Sequence, residues 1–144
     1  MSFACGSCEP IPGSNPQGLQ YFFHPKHHGA VREASRWCID YKVEFDLCIK
    51  SRKNNKYMLD TDDKYSWNVL RDNDRLQQIG EQQGIAEYIA RFDYDSSMKQ
   101  LHGYPIDHTK NPREKPPNMV LKKLRVQNQI SKKEMMKICK GLSL

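Results

Sequence analysis

The stretch PPNMVLKKLRVQNQISKKEMMKICKG near the C-terminus constrains the fold more than any other part of the chain. Pro116 and Pro117 suit the opening turn of a helix, where a missing amide donor does little harm and φ is already helical. Met119, Val120, Leu121 and Leu124 then give that helix an apolar side, until Gln127, Asn128 and Gln129 interrupt it. Ser131 and Glu134 form an S-x-x-E capping box, in which each side chain satisfies an otherwise unpaired amide at a new helix start. Met135, Ile138 and Cys139 supply its apolar stripe, and Gly141 is placed to end it. The pattern predicts two short helices joined by a tight turn.

Elsewhere the hydrophobic period changes several times. Between Ala30 and Tyr41, the residues Val31, Ala34, Trp37, Cys38 and Tyr41 recur at helical spacing, with Arg32, Glu33 and Arg36 turned outward. In KVEFDLCIK, by contrast, Val43, Phe45, Leu47 and Ile49 alternate strictly with other residues, which predicts a strand with one covered face. SRKNN has turn composition, KYMLD can return as a second strand, and YSWNVL alternates again as a third. RDNDRLQQIGEQQGIAEYIARF returns to helical spacing through Leu76, Ile79, Ile85, Tyr88, Ile89 and Phe92. The proline-bearing segment that follows reads as a connection, with a short strand at Lys99–Tyr104.

The expected fold class is therefore α+β: a small three-stranded antiparallel sheet packed by helices, with a C-terminal helical hairpin. Residues 1–20, with three Pro, three Gly and three Ser, read as an N-terminal loop or arm. Residues 21–109 form the α+β core, and residues 110–144 a basic helical hairpin packed on it as one domain. A length of 144 residues suits one domain, and an aromatic share of 10% argues against wholesale disorder. No apolar run approaches the length needed to span a bilayer as a helix. MSFACGSCEPIPGSNP lacks the basic and apolar regions of a secretory signal, and the five cysteines are odd in number. Both features point to a reducing, cytoplasmic setting with thiols free or metal-bound.

Charge is distributed unevenly. Residues 1–109 hold 13 Lys/Arg against 15 Asp/Glu, whereas residues 110–144 hold 10 against two, Glu114 and Glu134. The whole positive excess thus lies in the last quarter, on Lys122, Lys123, Arg125, Lys132, Lys133, Lys137 and Lys140 among others. Such cations on linked helices can follow a phosphate backbone, with salt-dependent affinity from counterion release. The alternative is a plain solvated helix face. No aromatic residue follows Tyr104, so the segment itself offers bases no stacking platform, and no base-reading helix pattern stands out. The expected function is a small non-enzymatic binding module that docks through these helices to nucleic acid or an acidic protein partner, with little sequence preference.

The stretch LKKLRVQNQISKKEM resembles the SHOCT module, a short C-terminal helical hairpin appended to many bacterial proteins. The resemblance rests on Leu121 and Leu124 at the paired leucines, Ile130-Ser131 at the turn, and Glu134-Met135 where Glu-Phe is usual. Asn128 departs from the usual glycine. The resemblance covers residues 119–142 and implies an oligomerisation or docking element, sometimes connected with nucleic acid.

Two further groups carry chemistry. Cys5 and Cys8 with His24 and His28 give C-x2-C and H-x3-H pairs, spacings that suit a tetrahedral zinc ion, with His27 able to replace either histidine. The proline-bearing interval between the pairs is unlike that of a zinc finger, so a disordered arm and loop histidines are the competing reading. CGSC also has the outline of a dithiol redox site, though no strand is predicted before it. His102, Asp107 and His108 supply general-base and metal-ligand groups close together. With His24 and His28 they define the alternative function, a metal-dependent hydrolase or nuclease. No H-E-x-x-H, G-x-S-x-G or P-loop accompanies them.

Overall fold

The computed structural model describes residues 3–53 and 64–144. In chain order the elements are β1 (Cys8–Pro10), β2 (Gln20–Phe22), a single 3-10 turn (Pro25–His27), β3 (Arg36–Trp37), α1 (Tyr41–Lys53) and β4 (Tyr65–Val69). There follow β5 (Arg71–Asp72), β6 (Arg75–Leu76), β7 (Gly80–Gln82), β8 (Ile85–Glu87), β9 (Ile89–Asp95), β10 (Gln100–Ile106), α2 (Asn118–Val126) and α3 (Lys132–Lys140).

The principal sheet has five strands in the order β1-β2-β10-β9-β4, with β2 parallel to β10 and the other pairs antiparallel. Smaller sheets are formed by β3-β7-β8 and by β5-β6. The fold remains α+β, but the expected three-stranded antiparallel sheet is replaced by this larger mixed one. The N-terminal residues read as an arm contribute β1 to it.

The strand expected at Lys42–Lys50 is instead the body of α1. Its buried residues are Glu44, Phe45, Leu47, Cys48 and Ser51, a spacing that only a helix can put on one side. Two of them are polar and hidden by specific partners, so the apolar residues alone gave a false period of two. Ser51 Oγ donates to Cys48 O at 2.7 Å and pairs with Ser66 Oγ at 2.9 Å. Asp40 Oδ1 caps the helix by accepting from Val43 N at 2.9 Å. The returning strand expected at KYMLD lies outside the described residues, while the third expected strand is β4.

The helix expected over Ala30–Tyr41 is also absent. That segment is a turn leading into β3, and Val31 is 43% exposed whereas Trp37 is buried. The Trp37 indole stacks on Phe92 and donates from Nε1 to Gly103 O at 3.2 Å, a long-range anchor that overrides local spacing. The helical segment expected from Arg71 to Phe92 is instead β5 to β9. Two-residue reversals break it at Asn73-Asp74, with Asn73 at φ 57, and at Gln83-Gly84, with φ 50 and 83. Its apolar residues divide between two cores: Leu76 and Ile89 face one, Ile79 and Phe92 the other. The short strand expected at Lys99–Tyr104 is present as the longer β10.

The β9–β10 register sets the two faces of the sheet. Ala90, Phe92, Leu101 and Tyr21 face α1, with Phe45, Leu47 and Cys48 packed against them. Gly103 lies opposite Phe92, and a Cβ there would sit 2.2 Å from the ring, so only glycine lets the ring cross the strand. On the other face Trp67, Val69, Ile89 and Ile106 pack against Val120, Leu121, Leu124, Ile130 and Ile138 of the hairpin. The hairpin covers one end of this face. The far end, bearing Tyr65, Arg91, Asp93, His102 and Tyr104, is left to polar and aromatic side chains.

Candidate functional site

The hairpin forms as its sequence specifies. Ser131 Oγ accepts from Glu134 N at 3.0 Å, and Glu134 Oε1 accepts from Ser131 N at 2.7 Å, completing the capping box. Gly141 takes φ 69, and the Leu142 amide reaches back to Lys137 O at 2.8 Å, closing the helix end. Asn128 in the turn takes φ 58, a left-handed conformation that asparagine tolerates better than most residues. α2 starts at Pro117 without a side-chain cap. Its buried residues Val120, Leu121 and Leu124 fix its rotation, which turns Lys122 and Arg125 to solvent.

The one acidic side chain of α2 and α3, Glu134, is spent inward. Arg71 Nη1 contacts Glu134 Oε1 at 2.7 Å. Burial would raise the Glu134 carboxyl, but the Ser131 amide and Arg71 outweigh it and hold the group below its ordinary range. Among the described residues, Lys122, Arg125, Lys132, Lys133, Lys137 and Lys140 make no ion pair with a carboxylate. Lys122, Arg125, Lys132, Lys133 and Lys140 are exposed, and Lys123 and Lys137 are half-buried. Exposed Met119, Val126 and Met136 interleave with them. Lys115 ties the preceding stretch to α3 by donating to Cys139 O at 2.8 Å.

The histidines part company. His24 and His102 meet, with ring centroids 5.7 Å apart, at a polar cleft of about 370 Å3 that also takes in His27, Asp93, Tyr104 and Glu114. Asp93 and His102 are direct partners across β9 and β10. His27 lies stacked on Tyr104 with Nδ1 2.9 Å from Ser35 O, and burial lowers its pKa to about 4, so the ring is neutral. Burial and the neighbouring His102 lower the pKa of His24 as well. His24 Nδ1 accepts from the Lys26 amide. Behind the cleft, Ser35 Oγ donates to Glu87 Oε2 at 2.9 Å, and burial pushes the Glu87 carboxyl up to about 8.

The His28 side chain is turned inward toward α1, on the opposite side of the sheet. Its Nε2 lies 3.0 Å from Glu44 Oε1, within ion-pair range but off the line of a hydrogen bond, while Tyr21 OH donates to Glu44 Oε2. Burial raises the Glu44 carboxyl against the opposing pull of His28 and Tyr21. Asp107 accepts from the Thr109 amide at 2.9 Å and from its hydroxyl, and His108 Nε2 lies 2.7 Å from Leu142 O. His108 thus ties the stretch after β10 to the end of the hairpin, Asp107 closes a local turn, and neither lines the cleft. Of the alternative catalytic set His24, His28, His102, Asp107 and His108, the structure thus joins only His24 and His102.

The zinc set is likewise not assembled. Cys5 and Cys8 are exposed free thiols, Cys8 near Gln100, and His28 is engaged with Glu44. Among the described residues no group of three or more His, Cys, Asp or Glu side chains is arranged to hold a metal ion. Asp93 carries no local signal of the cleft, because only the strand register, a long-range property, brings it beside His102. Among the described residues no helix is long and apolar enough to cross a membrane. Comparisons with protein-family models, curated proteins and solved structures returned no match.

Proposed function

We propose that this chain is a cytoplasmic binding protein that docks through its C-terminal hairpin onto the phosphate backbone of nucleic acid. Lys122, Lys123, Arg125, Lys132, Lys133, Lys137 and Lys140 are the contacting residues. One observation carries the reading: Glu134, the acidic residue of α2 and α3, is turned inward to Arg71 and Ser131, while among the described residues Lys122, Arg125, Lys132, Lys133, Lys137 and Lys140 have no carboxylate in ion-pair range. The SHOCT-like pattern of residues 119–142 is in keeping with a docking element. Binding of short labelled oligonucleotides, followed by fluorescence anisotropy, is expected to weaken steeply with salt. The log–log slope on duplex DNA should be about −4 to −6 if most of these cations contact phosphates. Joint substitution Lys133→Glu and Lys137→Glu should lower the affinity about tenfold or more and flatten the slope. Undetectable binding at low salt, or binding indifferent to salt, rules the reading out. Saturable capture of polyglutamate instead would identify an acidic protein as the partner class.

A second reading rests on the cleft. The convergence of His24, His27 and His102 with Asp93 supplies the imidazole and carboxylate groups that hydrolysis by general acid–base catalysis requires. Turnover of nucleic acid or a generic phosphodiester that His102→Ala abolishes would replace the binding reading. Absence of turnover with and without added divalent metal would discard it.

A further inference from the structure

The hairpin segment contains no aromatic residue, but the tertiary fold supplies the missing ones beside it. A cavity of about 500 Å3 lies between the open end of the sheet and the stretch leading into α2. Tyr65, Trp67 and Arg91 line it from the sheet, where Trp67 and Arg91 are direct partners across β4 and β9. Arg113, Lys115 and three prolines line it from the opposite side, and no carboxylate side chain among the described residues is in the lining. Trp67 Nε1 donates to Glu114 O at 2.8 Å, which fixes the two walls to each other. The Arg91 guanidinium stacks 3.8 Å from the centroid of the Tyr65 ring, held there by Asp93 at 3.1 Å from Nε. Arg113 is exposed at the rim, and Lys115 spends one of its three donors on Cys139 O.

A flat stack of guanidinium and phenol beside two further cations matches the chemistry of an unpaired nucleotide. Bases stack on aromatic rings and on arginine planes, and Arg and Lys bind the adjoining phosphate. A duplex keeps its base faces hidden and cannot use such a cavity. An acidic peptide would engage the cations but has no use for the aromatic wall. We infer that this cavity holds a base of single-stranded nucleic acid, with Arg113 and Lys115 on its phosphate. The inference rests on the hairpin reading and narrows it from nucleic acid in general to single strands.

The test uses the full chain at low salt, with a labelled single-stranded oligonucleotide and a duplex of equal length in anisotropy titrations. The single strand is expected to bind about tenfold tighter than the duplex. Arg113→Ala, a change at an exposed position that leaves the core intact, should weaken single-strand binding about fivefold and duplex binding less than about twofold. Tyr65→Leu should act in the same direction, and Tyr65→Phe should retain wild-type affinity, because stacking needs the ring and not the hydroxyl. Duplex binding without single-strand preference overturns this inference and leaves the hairpin reading standing, as does equal loss on both nucleic acids in Arg113→Ala. Binding to neither nucleic acid removes both.

Discussion

The hairpin covers one end of one face of the principal sheet, and its buried side chains there are all aliphatic, Val120, Leu121, Leu124, Ile130 and Ile138. On the other face α1 buries Phe45, Leu47 and Cys48 together with Glu44 and Ser51, and meets an aromatic cluster of Tyr21, Phe23, Trp37 and Phe92. Each contact builds a buried core, yet the two are specified differently. The aliphatic face needs only the right period and caps within its own two helices. The aromatic face depends on partners far away in sequence, since Glu44 accepts from Tyr21 and lies in ion-pair range of His28, and the Ser51 hydroxyl pairs with Ser66. The difference is between burial that any apolar neighbour satisfies and polar burial that only a particular neighbour does.

The comparison is sharpest at Glu44. Glu44→Ala would strip Tyr21 and His28 of their buried partner and should lower unfolding free energy by about 3 kcal/mol, measured by urea denaturation. Ile138→Val on the aliphatic face should remove only about 0.5–1.5 kcal/mol. A Glu44→Ala loss no larger than that of Ile138→Val would show that the polar contacts do not act as a unit.

A smaller effect comes from pH. The folded Glu87 carboxyl, at about 8, holds its proton more tightly than an unfolded carboxyl does. The folded state therefore binds more protons, and stability declines as pH rises from about 4.5 to about 8. Glu44, also raised by burial, adds to this slope. His27 acts in the opposite sense, because its folded pKa of about 4 leaves the unfolded chain the better proton binder up to about 6.5. The two slopes offset each other below pH 6.5, and above it the decline attributable to Glu87 should amount to about 2 kcal/mol by pH 8. Thermal melts across this range would reveal it, and Glu87→Gln should flatten the alkaline limb. A melting temperature that still falls in Glu87→Gln would place the titrating group elsewhere.

The smallest change is expected at the hairpin's cap. Ser131→Ala removes one reciprocal hydrogen bond of the capping box and should cost about 1 kcal/mol. Because Glu134 also holds Arg71, charge reversal at Arg71 should cost more than the cap itself. Both shifts are measurable in the same denaturant series.

These contrasts track what could be read from residues alone. Ser131, Glu134 and Gly141 were legible because a cap acts within one turn of its helix. α1 is not legible locally because Glu44 and Ser51 belong to its buried side, and no local rule marks a buried glutamate. The reversals at Asn73-Asp74 and Gln83-Gly84 were hidden by apolar residues that happen to recur at helical spacing while serving two different cores. Of the candidate sites, the cations of the hairpin were visible as composition, and His24 and His102 were visible as residue types. Their meeting with His27 and Asp93 was not visible, nor was the arrangement of Tyr65 and Arg91 beside Arg113.

Interactions a few residues long specify the basic hairpin, its turn, the cap of its second helix and the sign of its outer charge, so these follow from the order of residues. Tertiary structure decided the five-stranded sheet and the helical state of residues 41–53, since pairing and polar burial join positions many residues apart. It also decided that the histidines near the N-terminus divide between an open cleft and a buried contact with Glu44. Side chains from distant strands were needed to turn a cluster of like residues into two environments with different partners and access.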